Sequence, residues 1–554
     1  MGLQIQDCRF ALRAQRLLRA GIVGAFSGAL ICGSAAMAQE ANTGSAHAKP
    51  KKATHGVNSK KVVKAKKYVP GGPVYKDAPA VAAPIPACSQ ASAYEVNKLV
   101  GMKGWAIPPN NAGDSILLDY GCWRTNLAKY GIGVIGSTSS TLRTNLLNHY
   151  TPPTTQQQYA GQRPTGNVNA GMTVTYDLSR WGLPDGQFAI TGGSQNTNWT
   201  PNWGLNTLTM QEMKIYGTAF NKALEYEVGY VQTFLRFQGF FVGGNTNNPL
   251  GASGGSAAQV GSNLTPQVTP AALFKWNITD KWYDRFGIQR SLPGSVATRG
   301  AVGNMISAEH YGNPTGFSFA DRHPCKFGIC YNSPRELFID EIGYQTRATP
   351  DNLSTWVRLT GYYNTTPYRD YASPTGGNTK DNYAVTLYAD QQLWQLEPGA
   401  YTSYKGLYIG GTVAYNDPHA ASLSQTYEFR VYTYGMFGRP KDQIAFNFQH
   451  AVVSHYLADS TNAGSLCANN ANILCMRNAL NTYSLTYTAN IMSGVFVTMG
   501  AQYIDHPALA WSPKCSTGYG SKGGCTIPAL GGADFSGYNI NHALNFVASL
   551  YTVF

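Results

Sequence analysis

From Gly131 to the C-terminal Phe554 the chain repeats one pattern. Segments of about ten residues alternate apolar and polar side chains, separated by Gly-, Asn- and Pro-rich connections. In one of them Val168, Ala170, Met172, Val174 and Tyr176 occupy one face, and Asn167, Asn169, Gly171, Thr173, Thr175 and Asp177 the other. A period of two means a β-strand whose two faces meet different surroundings. Comparable runs lie at Ala223–Thr233, Thr355–Asn364, Tyr383–Gln392, Leu407–Asn416, Asp442–Val452, Tyr483–Ile491, Val495–Tyr503 and Ala543–Phe554, with weaker ones near residues 133, 188, 213, 273, 284, 338 and 428. That makes about sixteen strands, an even number of the size that closes a membrane barrel around a water-filled lumen.

The rest of the sequence narrows the choice between such a barrel and a soluble sandwich. The first 38 residues read as a secretory signal: Arg9, Arg13, Arg16 and Arg19, an apolar stretch from Gly21 to Ile31, then Ala36-Met37-Ala38 before Gln39. That stretch is too short to span a bilayer, and Ile31 is too bulky for a lipid-attachment box at Cys32. No later stretch approaches the length of a membrane helix, so past the signal the chain is soluble or crosses as strands. Export, strand length and 12% aromatic residues favour the barrel.

The formal net charge of +13 is unevenly spread. The signal carries about +3 and residues 39–87 about +7, leaving about +3 for the rest. The excess lies in a Lys/Ala/Pro-rich stretch, Lys49–Pro86, that has too few apolar residues to bury a core and reads as a disordered periplasmic leader. A nucleic-acid partner is therefore not expected; contact with something anionic, such as cell wall or lipid headgroups, or a merely solvated leader is. The expected organisation is 1–38 signal, 39–87 leader, 88–130 a short helical and loop segment, and 131–554 an outer-membrane β-barrel. Within 88–130, Trp123–Tyr130 reads as a short helix stopped by Gly131.

Eight cysteines remain after the signal. Cys325 and Cys330, Cys467 and Cys475, and Cys515 and Cys525 fall close together in loop-like stretches, and Cys88 with Cys122 makes a fourth candidate pair. An even count in an oxidising compartment favours disulfides. The alternative, a metal site using His323 beside Cys325, fits no common zinc spacing.

Two motifs imitate catalytic or nucleotide sites. Gly131-Ile132-Gly133-Val134-Ile135-Gly136 spells a dinucleotide fingerprint but follows a helix and leads into a strand, the reverse of what pyrophosphate binding needs. Gly251-Ala252-Ser253-Gly254-Gly255 spells a nucleophile elbow in a long Gly/Ser/Asn connection with no helix after it. His450, His455 and Asp505-His506 complete no triad or metal cluster. Neither an enzyme nor a cofactor is expected.

The polar faces carry few but recognisable groups: Glu225, Glu227, Arg358, Asp390, and Glu428 with Arg430, together with Tyr362, Tyr388, Tyr432 and Tyr434. Carboxylates and guanidinium groups exchange bidentate hydrogen bonds with polyol hydroxyls. Aromatic rings offer flat apolar surface with a polar tip. A near-neutral, Tyr-rich lumen suits small neutral sugars better than ions. A general or anion-preferring diffusion pore is the alternative, and a sealed barrel tethered to the cell wall a lesser one. Residues 88–130 are too few for the globular plug of an active receptor.

The order of short motifs resembles the carbohydrate-selective porin (OprB) family. Trp123-Arg124 with Leu127 and Gly131-Ile132 precedes the first strand. Asn167–Asp177 is followed by Leu178, Trp181-Gly182-Leu183 and Gly186-Gln187-Phe188. Lys281-Trp282-Tyr283, Phe286-Gly287-Ile288, Glu341-Ile342-Gly343-Tyr344, Asp390-Gln391-Gln392-Leu393-Trp394, Gly406-Leu407-Tyr408, Gly438-Arg439-Pro440-Lys441-Asp442 and Gln502-Tyr503-Ile504 carry the likeness on, over roughly 120–554. The resemblance implies a sixteen-stranded outer-membrane barrel passing glucose-like sugars down their gradient without a cofactor; porins of this size are often homotrimers. Phe546, Ala548, Leu550, Thr552 and Phe554 resemble the terminal strand by which barrels engage the assembly machinery, with Thr552 where Tyr is more usual. The basic leader and the added cysteines depart from the family.

Overall fold

The structure is a computed structural model. It describes residues 88–105, 111–147, 159–198, 208–237, 259–263, 268–292, 294–295, 317, 331–332, 334–373, 377–399, 402–462, 475–507, 510–511 and 542–554. The signal, the leader and Gly251–Gly255 lie outside those residues. Of the cysteines expected to pair in loops, Cys325 and Cys330 lie outside them as well, as do Cys467, Cys515 and Cys525 and the side chain of Cys475.

Sixteen antiparallel strands close into one barrel: β1 Ile132–Asn145, β2 Thr165–Asp177, β3 Gln187–Thr197, β4 Leu208–Ala219, β5 Leu224–Tyr230, β6 Pro270–Asn277, β7 Trp282–Arg290, β8 Glu336–Thr346, β9 Thr355–Asn364, β10 Asn382–Gln395, β11 Gly406–Asn416, β12 Leu423–Tyr434, β13 Gln443–Val453, β14 Ala479–Met492, β15 Val495–Asp505 and β16 His542–Val553. Each strand pairs with its sequence neighbour, and β16 closes on β1 through Ser137↔Val553 to Asn145↔Asn545. Closure leaves no unpaired edge, the condition for strands to cross a bilayer. Among the described residues no helix is long and apolar enough to do so.

The alternation read from the sequence is the inside–outside alternation of the wall. Val168, Met172, Leu387, Leu485 and Leu550 are exposed on the outer surface, whereas Thr386, Thr482, Ser484, Gln502 and Asn545 are buried within. Outward aromatics gather at both rims: Tyr176 with Trp181, Phe220 with Trp276 and Trp282 with Tyr344 at one end, Tyr383 with Tyr415 and Phe448 with Tyr483 at the other. Such belts mark the two membrane interfaces. The first rim carries the short connections and the C-terminus, hence it faces the periplasm. The dinucleotide-like glycines form the entry of β1.

One expected strand is shorter than its pattern. The run Ala223–Thr233 leaves the sheet at Tyr230, and Thr233–Phe237 forms a helical turn, α3. The cause is Asn263. Its Oδ1 accepts the Thr233 N–H at 3.0 Å, and its Nδ2 donates to the Val231 carbonyl at 2.7 Å. Backbone groups that would have extended the ladder are thus satisfied elsewhere. The chain turns inward, burying Val231, Phe237 and Val260 against Leu273, Ile339 and Tyr362.

At the periplasmic end, helix α1 (Gln90–Val100) begins at a Ser89 capping box. Helix α2 (Trp123–Ala128) matches the short helix expected there, and Gly131 follows at φ +78°. Asp119 ties the two helices together, accepting from Ser92 Oγ at 2.8 Å, Thr125 Oγ1 at 2.5 Å and the Arg124 N–H at 2.9 Å. Cys88 and Cys122 form a disulfide across them, the expected pair whose two members are both described. The pairings of Cys325 with Cys330, Cys467 with Cys475 and Cys515 with Cys525 stay expectations from the sequence. The unit is docked on the barrel by Lys441–Asp114 and by the Ile116 N–H on the Val553 carbonyl at 2.8 Å.

Candidate functional site

Three groups of buried charges line the lumen, and the first gathers around α3. Glu212 and Lys214 face inward from β4, Glu227 from β5, and Arg236 reaches down from α3. The Arg236 guanidinium bridges both carboxylates: Nη2 lies 2.9 Å from Glu227 Oε2, and Nη1 lies 3.2 Å from Glu212 Oε2. Lys214 Nζ contacts the same two carboxylates. Toward the periplasm Glu225 pairs with Lys275 at 2.8 Å and accepts from Asn277 and Tyr216.

The second group is centred on Glu341 of β8. It accepts from Thr360 Oγ1 at 2.8 Å and Tyr283 OH at 2.9 Å, with Arg285 and Arg358 at 3.5 and 3.4 Å. Those two arginines also donate to the Arg236 and Phe237 carbonyls. The free carbonyls at the end of α3 are thereby capped by cations from the wall, the sign that end of a helix prefers. The Arg358 guanidinium lies over the rings of Trp356 and Tyr388, 4.1 and 4.6 Å from their centroids.

The third group spans β10 to β12. Arg430 grips Asp390 in a fork, Nε–Oδ1 at 2.9 Å and Nη2–Oδ2 at 2.6 Å. Its Nη1 donates to Thr412 Oγ1 at 3.0 Å and lies 3.5 Å from Glu428. Tyr432 OH donates to Asp390, and its ring stacks on Tyr408 at 4.9 Å and 9°. Tyr434 stands edge-on to both rings. Asp390 and Arg430 are two strands apart, and their register partner between them is Gly410. A side chain there would occupy the path of the ion pair.

All ten residues singled out from the sequence face into the barrel, but in different settings. Asp390, Glu428, Arg430 and Tyr432 come together in one group. Arg358 and Tyr388 meet as a cation over a ring, and Glu225 and Glu227 belong to different ion pairs. Tyr362 packs edge-on to Phe237 at 6.2 Å, beneath the inward turn. Sequence reasoning missed Glu212, Lys214, Arg236, Arg285 and Trp356. Glu212 and Lys214 share an inward face with Tyr216, a period-two signal that was there to be used. Arg236 gave none, since it sits in an apolar run. His450 bonds Asn481 Oδ1 at 2.7 Å on the outer face, and His455 starts a helix outside the wall.

The N-terminal unit also enters the lumen. The Thr175 hydroxyl donates to the Val100 carbonyl, and Gln187 bonds the Gly101 carbonyl and the Lys103 N–H, both at 2.9 Å. Burial pulls the Lys103 ammonium below its ordinary range, against the pull of nearby Asp185 and Asp177. Lys214 Nζ donates to the Lys103 carbonyl at 2.6 Å.

Within these three groups, six carboxylates (Glu212, Glu225, Glu227, Glu341, Asp390, Glu428) stand against six cations (Lys214, Arg236, Lys275, Arg285, Arg358, Arg430). A closed sixteen-stranded wall with an inward segment held by charges at mid-height is the architecture of a porin. The family model for carbohydrate-selective porins, the OprB family, matches residues 130–512, and the chain belongs to that family. It is a channel for the diffusion of carbohydrates across the outer membrane. Among solved structures, Pseudomonas putida OprB at high pH is 16% identical, with a TM-score of 0.58 over 79% of this chain and 97% of that one. The low-pH structure of the same protein is 14% identical, with a TM-score of 0.43 over 80% and 98%. A mutant Rh. blastica porin is 8% identical, with a TM-score of 0.36 over 76% and 100%. No curated protein sequence matches the chain.

Proposed function

We propose that the channel passes glucose-like neutral sugars, and that they travel along the strip formed by Trp356, Arg358, Tyr388, Asp390, Arg430, Tyr432 and Glu428. The observation that carries this is the pairing of the charges within the three groups beside aromatic faces. Paired charges give little net field to attract or repel a single ion. Their carboxylates and guanidinium groups are of the kind that exchanges bidentate hydrogen bonds with vicinal hydroxyls. The rings of Tyr408 and Tyr432 add apolar surface for the C–H faces of a pyranose. Binding is expected to be weak, because a channel must release what it admits.

Several further readings rest on sequence. Cleavage after Ala38 exports the chain, and Phe554 engages the barrel-assembly machinery. The stretch at 39–87 is a solvated leader or a contact to the anionic cell wall, and the resemblance to porins suggests homotrimers in outer-membrane lipid.

The test is reconstitution of the mature protein in a planar bilayer with titration of glucose-like sugars. Sugar-dependent block of the ionic current, weakened by Arg430→Ala and by Glu428→Ala, is the expected result. An ohmic pore indifferent to sugars would instead indicate general diffusion. Block unchanged in both variants would remove these residues from the path.

A further inference from the structure

The segment Gly101–Trp105 lies outside the region matched by the family model, which starts at residue 130. It nonetheless reaches the charges around α3 from the periplasmic side. Gly104, at φ +88°, lies so close to Glu227 that a Cβ there would sit 2.5 Å from the carboxylate carbon. Only glycine combines that backbone conformation with that approach. Beyond it, the half-buried Trp105 ring lies 5.0 Å from the Arg236 guanidinium, within cation–π range. Arg236 is thus flanked by two carboxylates from the wall and by one aromatic ring from the periplasmic segment.

We infer that Trp105 is a specificity-determining residue of the channel, an aromatic wall of the constriction supplied by the periplasmic segment rather than by the barrel. Two observations carry this independently. The first is position: Lys214, Glu227 and Arg236 hold the segment at mid-barrel, so its side chains narrow the lumen from below while α3 narrows it from above. The second is an unpaired donor. The Trp105 Nε1–H is enclosed and makes no hydrogen bond among the described residues. A donor left so is costly, and a sugar hydroxyl that enters as the enclosing side chains shift is an acceptor that would satisfy it. The disulfide Cys88–Cys122, the Asp119 hydrogen bonds and the grip of Gln187 keep the segment in place. The inference rests on the sugar path proposed above, but its geometric half, that Trp105 narrows the pore, stands apart from cargo.

The experiment compares wild type, Trp105→Ala and Trp105→Phe in planar bilayers, each first shown to be folded by heat-modifiable gel mobility. Two readouts are taken: ionic conductance without sugar, and the glucose concentration giving half-maximal block. Trp105→Ala is expected to raise sugar-free conductance about twofold and to weaken block about tenfold, equivalent to about 1.4 kcal/mol. Trp105→Phe keeps the ring and loses the N–H, so its conductance should match wild type while block weakens about threefold. Conductance and block both unchanged in Trp105→Ala would overturn the inference. So would a conductance rise with unaltered sugar affinity, which would make Trp105 a space-filler only. If wild type shows no block, the sugar reading has failed and the claim of specificity falls with it. The conductance of Trp105→Ala then still decides whether the segment narrows the pore.

Discussion

Replacing Gly410 with Ala should break the ion pair that crosses it without altering either charged residue. The added methyl carbon would stand 2.3 Å from Asp390 Oδ1, 2.7 Å from Arg430 Nε and 2.9 Å from the Ala389 carbonyl oxygen. Carboxylate and guanidinium must separate, which removes the 2.9 Å Nε–Oδ1 bond and disturbs the Tyr432 bond to the same oxygen. Hydrogen bonds to charged groups contribute about 1.5–3 kcal/mol each. The groups released face the lumen, where water offers partial replacement, so a total of about 2–3 kcal/mol is expected. Guanidinium unfolding in detergent micelles, followed by tryptophan fluorescence, reads this as a shift in midpoint at constant slope. The control places Gly410→Ala in an Asp390→Ala/Arg430→Ala background, where the backbone contact persists but the pair is gone. The cost there should be smaller by that same about 2–3 kcal/mol, since coupling between contacting residues is what such a cycle isolates. Equal costs in the two backgrounds would refute the reasoning.

Two other expectations follow from single charged groups. Asp417, in the extracellular turn between β11 and β12, is pushed up to about 6 by burial, only partly offset by the His419 N–H and its ring. A raised carboxyl binds more protons folded than unfolded, so its contribution is most favourable at low pH and is lost as pH rises from about 4 to about 6. Asp417→Asn should therefore gain thermal stability relative to wild type at pH 7 and not at pH 4; parallel pH profiles would contradict this. Arg358→Gln removes the cation from both Glu341 and the Phe237 carbonyl. It should release α3, seen as faster proteolysis near residue 237 and noisier single-channel current, with unaltered current and cleavage as the opposing result.

The barrel was legible because its physics has period two. Lipid outside and polar lumen inside demand alternation on every strand. Even weak segments such as those near 213 and 273 fell where strands form. What was not legible depends on contacts distant in sequence. Residues 223–233 look like one strand until Asn263, thirty residues from Thr233, claims their backbone. Arg236 looks like a solitary charge in an apolar run until the fold sets Glu212 and Glu227 beside it. The role of Gly410 exists only in the register of three strands. The Cys88–Cys122 pair was open to expectation because these two were left over once the other six cysteines fell into close pairs and the count was even. That this segment would send Trp105 to mid-barrel was not, since nothing local marks Gly104 as the neighbour of Glu227.

Charge in this lumen invites comparison with an ion channel, yet the pairing argues the other way. An ion-selective pore aligns one sign along its path so that a carrier of the opposite sign is attracted. Here Arg430 is committed to Asp390 and Glu428, Arg236 to Glu212 and Glu227, and Glu341 to Arg285 and Arg358. Burying such groups is costly unless each meets its partner, and once paired they contribute little beyond offsetting that cost. Their value lies in rigidity: a forked pair locked by Thr412 and Tyr432 holds its remaining lone pairs and N–H groups in fixed directions. A hydrated ion has no use for fixed directions, whereas a pyranose ring with several hydroxyls at set angles does. In the proposed path the aromatic faces at Tyr408, Tyr432, Tyr388 and Trp356 would serve the same cargo, because only a molecule with apolar faces and a polar edge gains from both. On the sugar path proposed above, selectivity for neutral sugars is thus a property of how the charges are matched to one another, not of how many there are.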